Sequence, residues 1–158
     1  MKIRPMTEED KPGVMRVLCN TPEFTPEEVD LAEEVIDDYL EDSIVSGFFI
    51  LVADMEPGIG GYVVYGTVPI TDNVWELYWF AVDGNIRGQG IGRKLWEAAE
   101  NNMWDSGARL MVLETSSKSE YDRTNLFYAR SGYKIVGLIK DFYEIGDDQI
   151  TYEKRRSL

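Results

Sequence analysis

The sequence predicts an α/β (α+β) fold of about seven strands and about four helices, organised as one domain over residues 1–158. Three observations carry that prediction. Short segments rich in β-branched and aromatic residues are bounded by turn residues, as strands are. Between them lie stretches whose apolar residues recur at helical spacing behind recognisable caps. At the centre a strand, a glycine-rich loop, a helix and a second strand follow one another directly. The length of 158 residues is enough to bury a proper core, and 44% apolar with 12% aromatic content is globular.

The elements follow in chain order. A short strand at 2–4 leads to a helix from Thr7 to about Leu18, with Thr7 as N-cap, Asp10 at the third helical position, and Pro12 and Gly13 as weak points. Thr25-Pro26-Glu27-Glu28 then forms a capping box with proline at the first helical position. Val29, Ala32, Val35, Ile36 and Tyr39 give that second helix one apolar face. Extended segments at 48–53, 62–68 and 74–82, separated by Pro57-Gly58 and Thr71-Asp72-Asn73, read as an antiparallel meander. After the loop 83–92, a helix runs to about Ser106 and stops at Gly107. A buried-type strand at 110–115, a helix at 124–131 ending on Gly132, and strands at 135–139 and 149–153 complete the order β-α-α-β-β-β-α-β-α-β-β.

Composition removes whole classes of chemistry. The chain has no histidine, so a Ser-His-Asp or Cys-His nucleophile and an imidazole metal ligand are excluded. Cys19 is the single cysteine, which excludes an internal disulfide, a thiolate zinc site and a CxxC pair. No metal is expected. Twenty-nine acidic against 16 basic residues give a net charge of −13, which argues against nucleic acid and suits a cationic substrate such as an amine. The first ten residues, MKIRPMTEED, lack the apolar stretch of a signal peptide, and the longest apolar run falls far short of the roughly 20 residues of a membrane helix. A cytoplasmic setting without membrane attachment is the expectation.

The loop Arg87-Gly88-Gln89-Gly90-Ile91-Gly92 sits directly behind an apolar strand and in front of a helix. Glycines there allow close backbone approach, and the helix N-terminus favours an anion such as a pyrophosphate. It is not a P-loop, since Gly92 is followed by Arg93-Lys94-Leu95. Nor is it a dinucleotide fingerprint, since it is G-x-G-x-G placed after a meander.

Arg87-x-x-Gly90-x-Gly92, behind Glu76-Leu77-Tyr78-Trp79-Phe80-Ala81-Val82, resembles the acetyl-CoA signature of the GNAT superfamily of N-acetyltransferases. The segment Leu126-Phe127-Tyr128-Ala129-Arg130-Ser131-Gly132-Tyr133 resembles that family's second landmark, a tyrosine-bearing helix ending in Gly-aromatic. The resemblance covers nearly the whole chain, with some similarity to the ribosomal-protein N-terminal acetyltransferases. It implies a mixed, mostly antiparallel central sheet and an acetyl-CoA-dependent N-acetyltransferase that works by direct transfer in a ternary complex. It also implies that the fourth strand splays from the fifth. Backbone groups of Phe80, Ala81 and Val82 would then pair with the pantetheine arm, and the Val82 N–H would polarise the thioester carbonyl. The pyrophosphate would sit on the amides of Gly88, Gln89, Gly90, Ile91 and Gly92, with Arg87 and Arg93 supplying positive charge.

By the same resemblance Tyr128 would protonate the departing thiolate. A phenol with pKa about 10 is protonated at neutral pH, and a thiolate near pKa 8.5 is a costly leaving group when unprotected. An alkylammonium must lose a proton before it attacks, and without histidine the base must be a carboxylate, acting through water. Glu76, where several family members place a catalytic glutamate, is slightly preferred. Glu114, which resembles the glutamate of the ribosomal-protein group, is the alternative. Tyr121 and Thr124 stand where many relatives have Asn and Ala, and neither Tyr121 nor Asn125 is given a role. The stretch Asp141 to Asp148 resembles an acidic, tyrosine-bearing hairpin near the acceptor.

The acceptor is a small-molecule amine or a protein N-terminus. The competing functional class is a non-catalytic acyl-CoA-binding sensor or interaction module of the same fold. Trp75, Trp79 and Trp96 are expected in the core, the alternative being an exposed aromatic surface that would support a homodimer.

Overall fold

A computed structural model of the chain describes residues 1–157. Seven strands, β1 (Lys2–Pro5), β2 (Phe48–Asp54), β3 (Ile59–Thr67), β4 (Val74–Val82), β5 (Leu110–Ser116), β6 (Lys134–Glu144) and β7 (Asp147–Arg155), form one sheet. Its order is β1-β2-β3-β4-β5-β7-β6. Neighbours run antiparallel except β4 and β5, which are parallel. The helices are α1 (Lys11–Cys19), α2 (Pro26–Glu41), α3 (Ser43–Ser46), α4 (Ile91–Asp105) and α5 (Asp122–Arg130).

The sheet buries apolar side chains on both faces, and a separate helix pair covers each. Val14, Val17 and Leu18 of α1 and Ala32 and Ile36 of α2 pack with Ile50, Val52, Tyr62 and Val64 on one side. On the other, Ile91, Leu95, Trp96 and Met103 of α4 and Tyr128 of α5 pack with Leu51, Val63, Leu77 and Met111. Strand β3 is buried from Ile59 to Gly66 because it lies under both layers. Gly13 is what lets α1 approach it, since a Cβ there would stand 2.9 Å from Ile59 Cγ1.

Several boundaries differ from the sequence expectation for local reasons. Thr7 and Asp10 do form a capping box, but it closes a 3-10 turn at Glu8–Asp10, and the α-helix begins at Lys11. Pro12 then falls in its first turn, where a missing N–H costs nothing. Helix α3 was not expected. Asp42 caps it by accepting N–H bonds from Ile44 and Val45, and Gly47, in the left-handed region, ends it after four residues. Strands β6 and β7 are longer than predicted and join through a tight turn at Ile145 and Gly146. Trp75 and Trp96 are buried and Trp79 is half-buried, edge-on to Phe24 at 5.6 Å, so these indoles belong to the core.

Candidate active site

Strands β4 and β5 pair only at Val74↔Leu110, Trp75↔Met111 and Glu76↔Val112. Past Glu76 they separate. The same point carries a bulge, for Val64 lies opposite Trp79 and Tyr65 opposite Leu77, which leaves Tyr78 without a partner on β3. A bulge adds local twist and turns the strand away from its neighbour. The gap is a cleft of about 830 Å³ between the end of β4, the glycine loop, the end of β5 and α5, bordered by the α1–α2 loop and the start of α2.

Phe80, Ala81 and Val82 all line this cleft. Asp83 donates its N–H to Gly60 O at 2.9 Å, so with the alternation of an antiparallel strand Ala81 also turns its backbone toward β3. Phe80 and Val82 therefore present N–H and C=O to the open side. An extended ligand can add there as a strand does, through those two residues, while Ala81 is occupied by the sheet.

Gly88, Gly90, Ile91, Gly92 and Arg93 line the cleft beside the β4 edge, whereas Gln89 is exposed and outside the lining. Gly88 and Gly90 have φ of 88° and 77°, the left-handed region that glycine enters without a Cβ penalty. Gly90 is the N-cap of the fifteen-residue α4, whose first-turn amides and positive dipole end face the cleft. The arginines are differently placed from one another. Arg87 holds Glu23 in a bidentate pair, both N···O distances 2.8 Å, and the partly buried carboxylate raises the guanidinium above its ordinary pKa. Arg93 is exposed and pairs with Glu97 one turn along α4 at 2.8 Å. What the loop offers an anion is thus mainly backbone amides.

Tyr128 stands on the α5 side, 8% exposed, with its ring tilted against Trp96 and edge-on to Phe127 and Tyr152. Its hydroxyl takes part in no hydrogen bond among the described residues. Burial, and second the neighbouring Tyr152, push its pKa up, so the phenol keeps its proton throughout the working pH range. Glu114 is exposed on the cleft wall, where Gln149 Nε2 donates to its Oε2 at 3.2 Å. Glu76 is half-buried and lies behind the lining, its carboxyl pushed up by burial first and by the charge of Glu114 second. Tyr78 beside it is pushed up to about 12, by burial first and Glu76 second.

Of the other cleft residues, Glu23 and Glu28 carry no functional reading in the sequence, Tyr121 is left there without a role, and Tyr143, Glu144 and Asp147 belong to the hairpin that resembles an element near the acceptor. Glu23, Glu28 and Tyr121 line the cleft, and Tyr121 donates to Glu28 Oε2 at 3.1 Å. Glu28 carried one signal, its place in the capping box that opens α2, which sets it at the mouth of the cleft. Tyr143, Glu144 and Asp147 of the β6–β7 hairpin reach the same end, where Lys118 pairs with Glu144 at 2.7 Å and Asp147 at 3.7 Å. Asn125 serves the scaffold, donating to Ser116 O at 3.0 Å and accepting from Tyr152 at 3.1 Å.

The model of the acetyltransferase (GNAT) domain matches residues 46–135, more than half of the chain and all of the β4–loop–α4 unit. The chain belongs to the GNAT family of acetyltransferases. An uncharacterized N-acetyltransferase of Methanocaldococcus jannaschii is 26% identical over 144 residues, covering 84% of this chain and 89% of that protein. A crystal structure described as a GNAT-family acetyltransferase from Desulfovibrio desulfuricans is 34% identical, with a TM-score of 0.93 over 98% of both chains. The ribosomal-protein-alanine N-acetyltransferase of Brucella melitensis shares the fold, at 22% identity and a TM-score of 0.76 over 99% of this chain and 100% of that one. For this GNAT protein the donor is acetyl-CoA and the general chemistry is acetyl transfer to an amine nitrogen.

Proposed function

We propose that the enzyme transfers the acetyl group directly from acetyl-CoA to a primary amine, with both substrates held in the cleft at once. The observation that carries this is the opening of β4 from β5 past Glu76, with Tyr128 on the α5 wall of the gap, a largely buried side chain whose hydroxyl has no hydrogen-bond partner among the described residues. The pantetheine arm pairs with the backbone of Phe80 and Val82, and the Val82 N–H polarises the thioester carbonyl. The pyrophosphate rests on the amides of residues 88–92.

The ammonium first gives a proton through water to a carboxylate; the freed amine nitrogen then attacks the carbonyl carbon, and its second displaced proton passes to solvent as the tetrahedral intermediate collapses. Glu114 is that carboxylate because it stands on the cleft wall, and Glu76 supports it from behind. As the carbon–sulfur bond breaks, the Tyr128 O–H donates to the sulfur and its proton ends on the CoA thiol; solvent restores the phenol. An acceptor cationic in its resting state is drawn by Glu28, Glu114 and the hairpin carboxylates. A small-molecule amine and a protein N-terminus both satisfy this chemistry.

Thiol release from acetyl-CoA, followed against a panel of amines, tests the proposal. Wild type should show amine-dependent release, and Tyr128→Phe should lower kcat by roughly 10²-fold or more with acetyl-CoA binding retained. Tight acetyl-CoA binding with no amine-dependent release from wild type would instead identify a sensor module.

A further inference from the structure

Past the pair Glu76↔Val112, where β4 leaves β5, strand β5 keeps a neighbour on one side only. Glu114 lies beyond that point, opposite Thr151 of β7 and open to the cleft on its other side. Direct cross-strand partners share a face, so Glu114 and Ser116 of β5 stand together with Thr151 and Gln149 of β7. Gln149 is thus the diagonal neighbour of Glu114, and its Nε2 donates to Glu114 Oε2 at 3.2 Å. No other donor reaches that carboxylate among the described residues.

The two partners are unlike. Glu114 is exposed, a flexible side chain bathed by solvent. Gln149 is 8% exposed, and its backbone has strand partners on both sides, Ser116 of β5 and Ile139 of β6. Its side chain stands behind the cleft lining rather than in it. Burying an amide is costly unless it is hydrogen-bonded, and the partner it has is Glu114. The same amide partly offsets the burial that pushes the neighbouring Tyr143 phenol up.

We infer that Gln149 is a positioning residue of the transfer reaction: from behind the cleft wall it holds the Glu114 carboxylate where water can relay a proton from the acceptor. This rests on the reading of Glu114 as the proton acceptor. A relay needs its heavy atoms within hydrogen-bond reach, and an unheld glutamate divides its time among rotamers that miss the water. The amide takes Oε2 and leaves Oε1 for that water. The residue type suits the task. A lysine or arginine in its place would hold Glu114 as an ion pair, and a neighbouring positive charge makes a carboxylate a poorer base. An amide donates without carrying a charge.

A double-mutant cycle separates positioning from support of the fold. Gln149→Leu removes the donor at similar volume. With the panel amine that wild type acetylates fastest, it should lower kcat/KM for the amine by about tenfold, while KM for acetyl-CoA stays within about twofold. In the Glu114→Gln background the same change should cost less than about twofold, because the group it serves is already gone. Equal losses in the two backgrounds, or no loss in the first, overturn the inference. If Gln149→Leu fails to fold, Gln149→Glu, which keeps the shape and cannot donate when ionised, is judged by the same two criteria. Full activity in Glu114→Gln alone would sink the underlying reading, and the cycle shows that before Gln149 is changed.

Discussion

Glu114 and Glu76 occupy adjacent strands but different surroundings, and the roles proposed for them rest on those surroundings. Glu114 is exposed on the cleft wall, so it can exchange a proton with water and an incoming amine. Glu76 is half-buried, which raises its carboxyl, and the negative charge of Glu114 raises it further. A general base works ionised, so kcat/KM falls as pH falls through the carboxylate range. Glu114→Gln should lower kcat/KM by roughly 10²-fold or more, whereas Glu76→Gln should cost less than about tenfold. Removing the Glu114 charge takes away the second of the two causes that raise Glu76, so the Glu76 carboxyl should titrate at lower pH in Glu114→Gln than in wild type, while burial still holds it above the ordinary carboxylate value. Steady-state kinetics of both variants checks the rates, and NMR titration of the Glu76 carboxyl checks the shift. Full activity in Glu114→Gln would reverse the assignment in favour of Glu76.

At the scale of elements, the decisive unit is β4, the glycine loop and α4. Gly90 closes the loop and caps the helix with φ 77°, and a Cβ there would meet nothing within 4 Å. Gly90→Ala therefore adds no clash, only the left-handed penalty of about 1–2 kcal/mol. That penalty disfavours the arrangement that aims the first-turn amides of α4 into the cleft. KM for acetyl-CoA should rise by about 5- to 30-fold with kcat nearly unchanged, and steady-state kinetics together with a melting curve separate this from unfolding. The limits of β4, the loop and the stop of α4 were legible in the sequence because apolar runs, glycines and cap residues act locally. The bulge at Tyr78 was not. A strand with apolar or aromatic residues on both faces hides a one-residue slip in alternation. The Arg87–Glu23 fork joins residues 64 positions apart, and no local pattern announces such a pair. The length of β6 was hidden for the opposite reason, since a strand exposed on both faces shows no alternation to extend. Tyr128 and Glu114, by contrast, were found in the sequence and both line the cleft.

Over the whole molecule the charge of −13 acts on two substrates of opposite sign. Acetyl-CoA is a polyanion that must approach against this field. The two arginines expected to draw it in are each held by a glutamate, Arg87 by Glu23 and Arg93 by Glu97. Close range favours the anion through oriented amides, but longer range repels it. A cationic amine meets the reverse, being drawn toward a cleft end lined by Glu28, Glu114 and Glu120. Salt separates these contributions, because the Debye length shrinks from about 30 Å at 0.01 M to about 8 Å at 0.15 M, while contacts within the cleft are screened far less. Raising ionic strength across that range should lower KM for acetyl-CoA and raise KM for a cationic acceptor, each by several-fold, with kcat little affected. Steady-state kinetics at matched pH with a non-binding salt measures both. If KM for acetyl-CoA rises with salt, the arginines leave their glutamates and supply attraction themselves, and the field of the whole molecule is secondary to the loop.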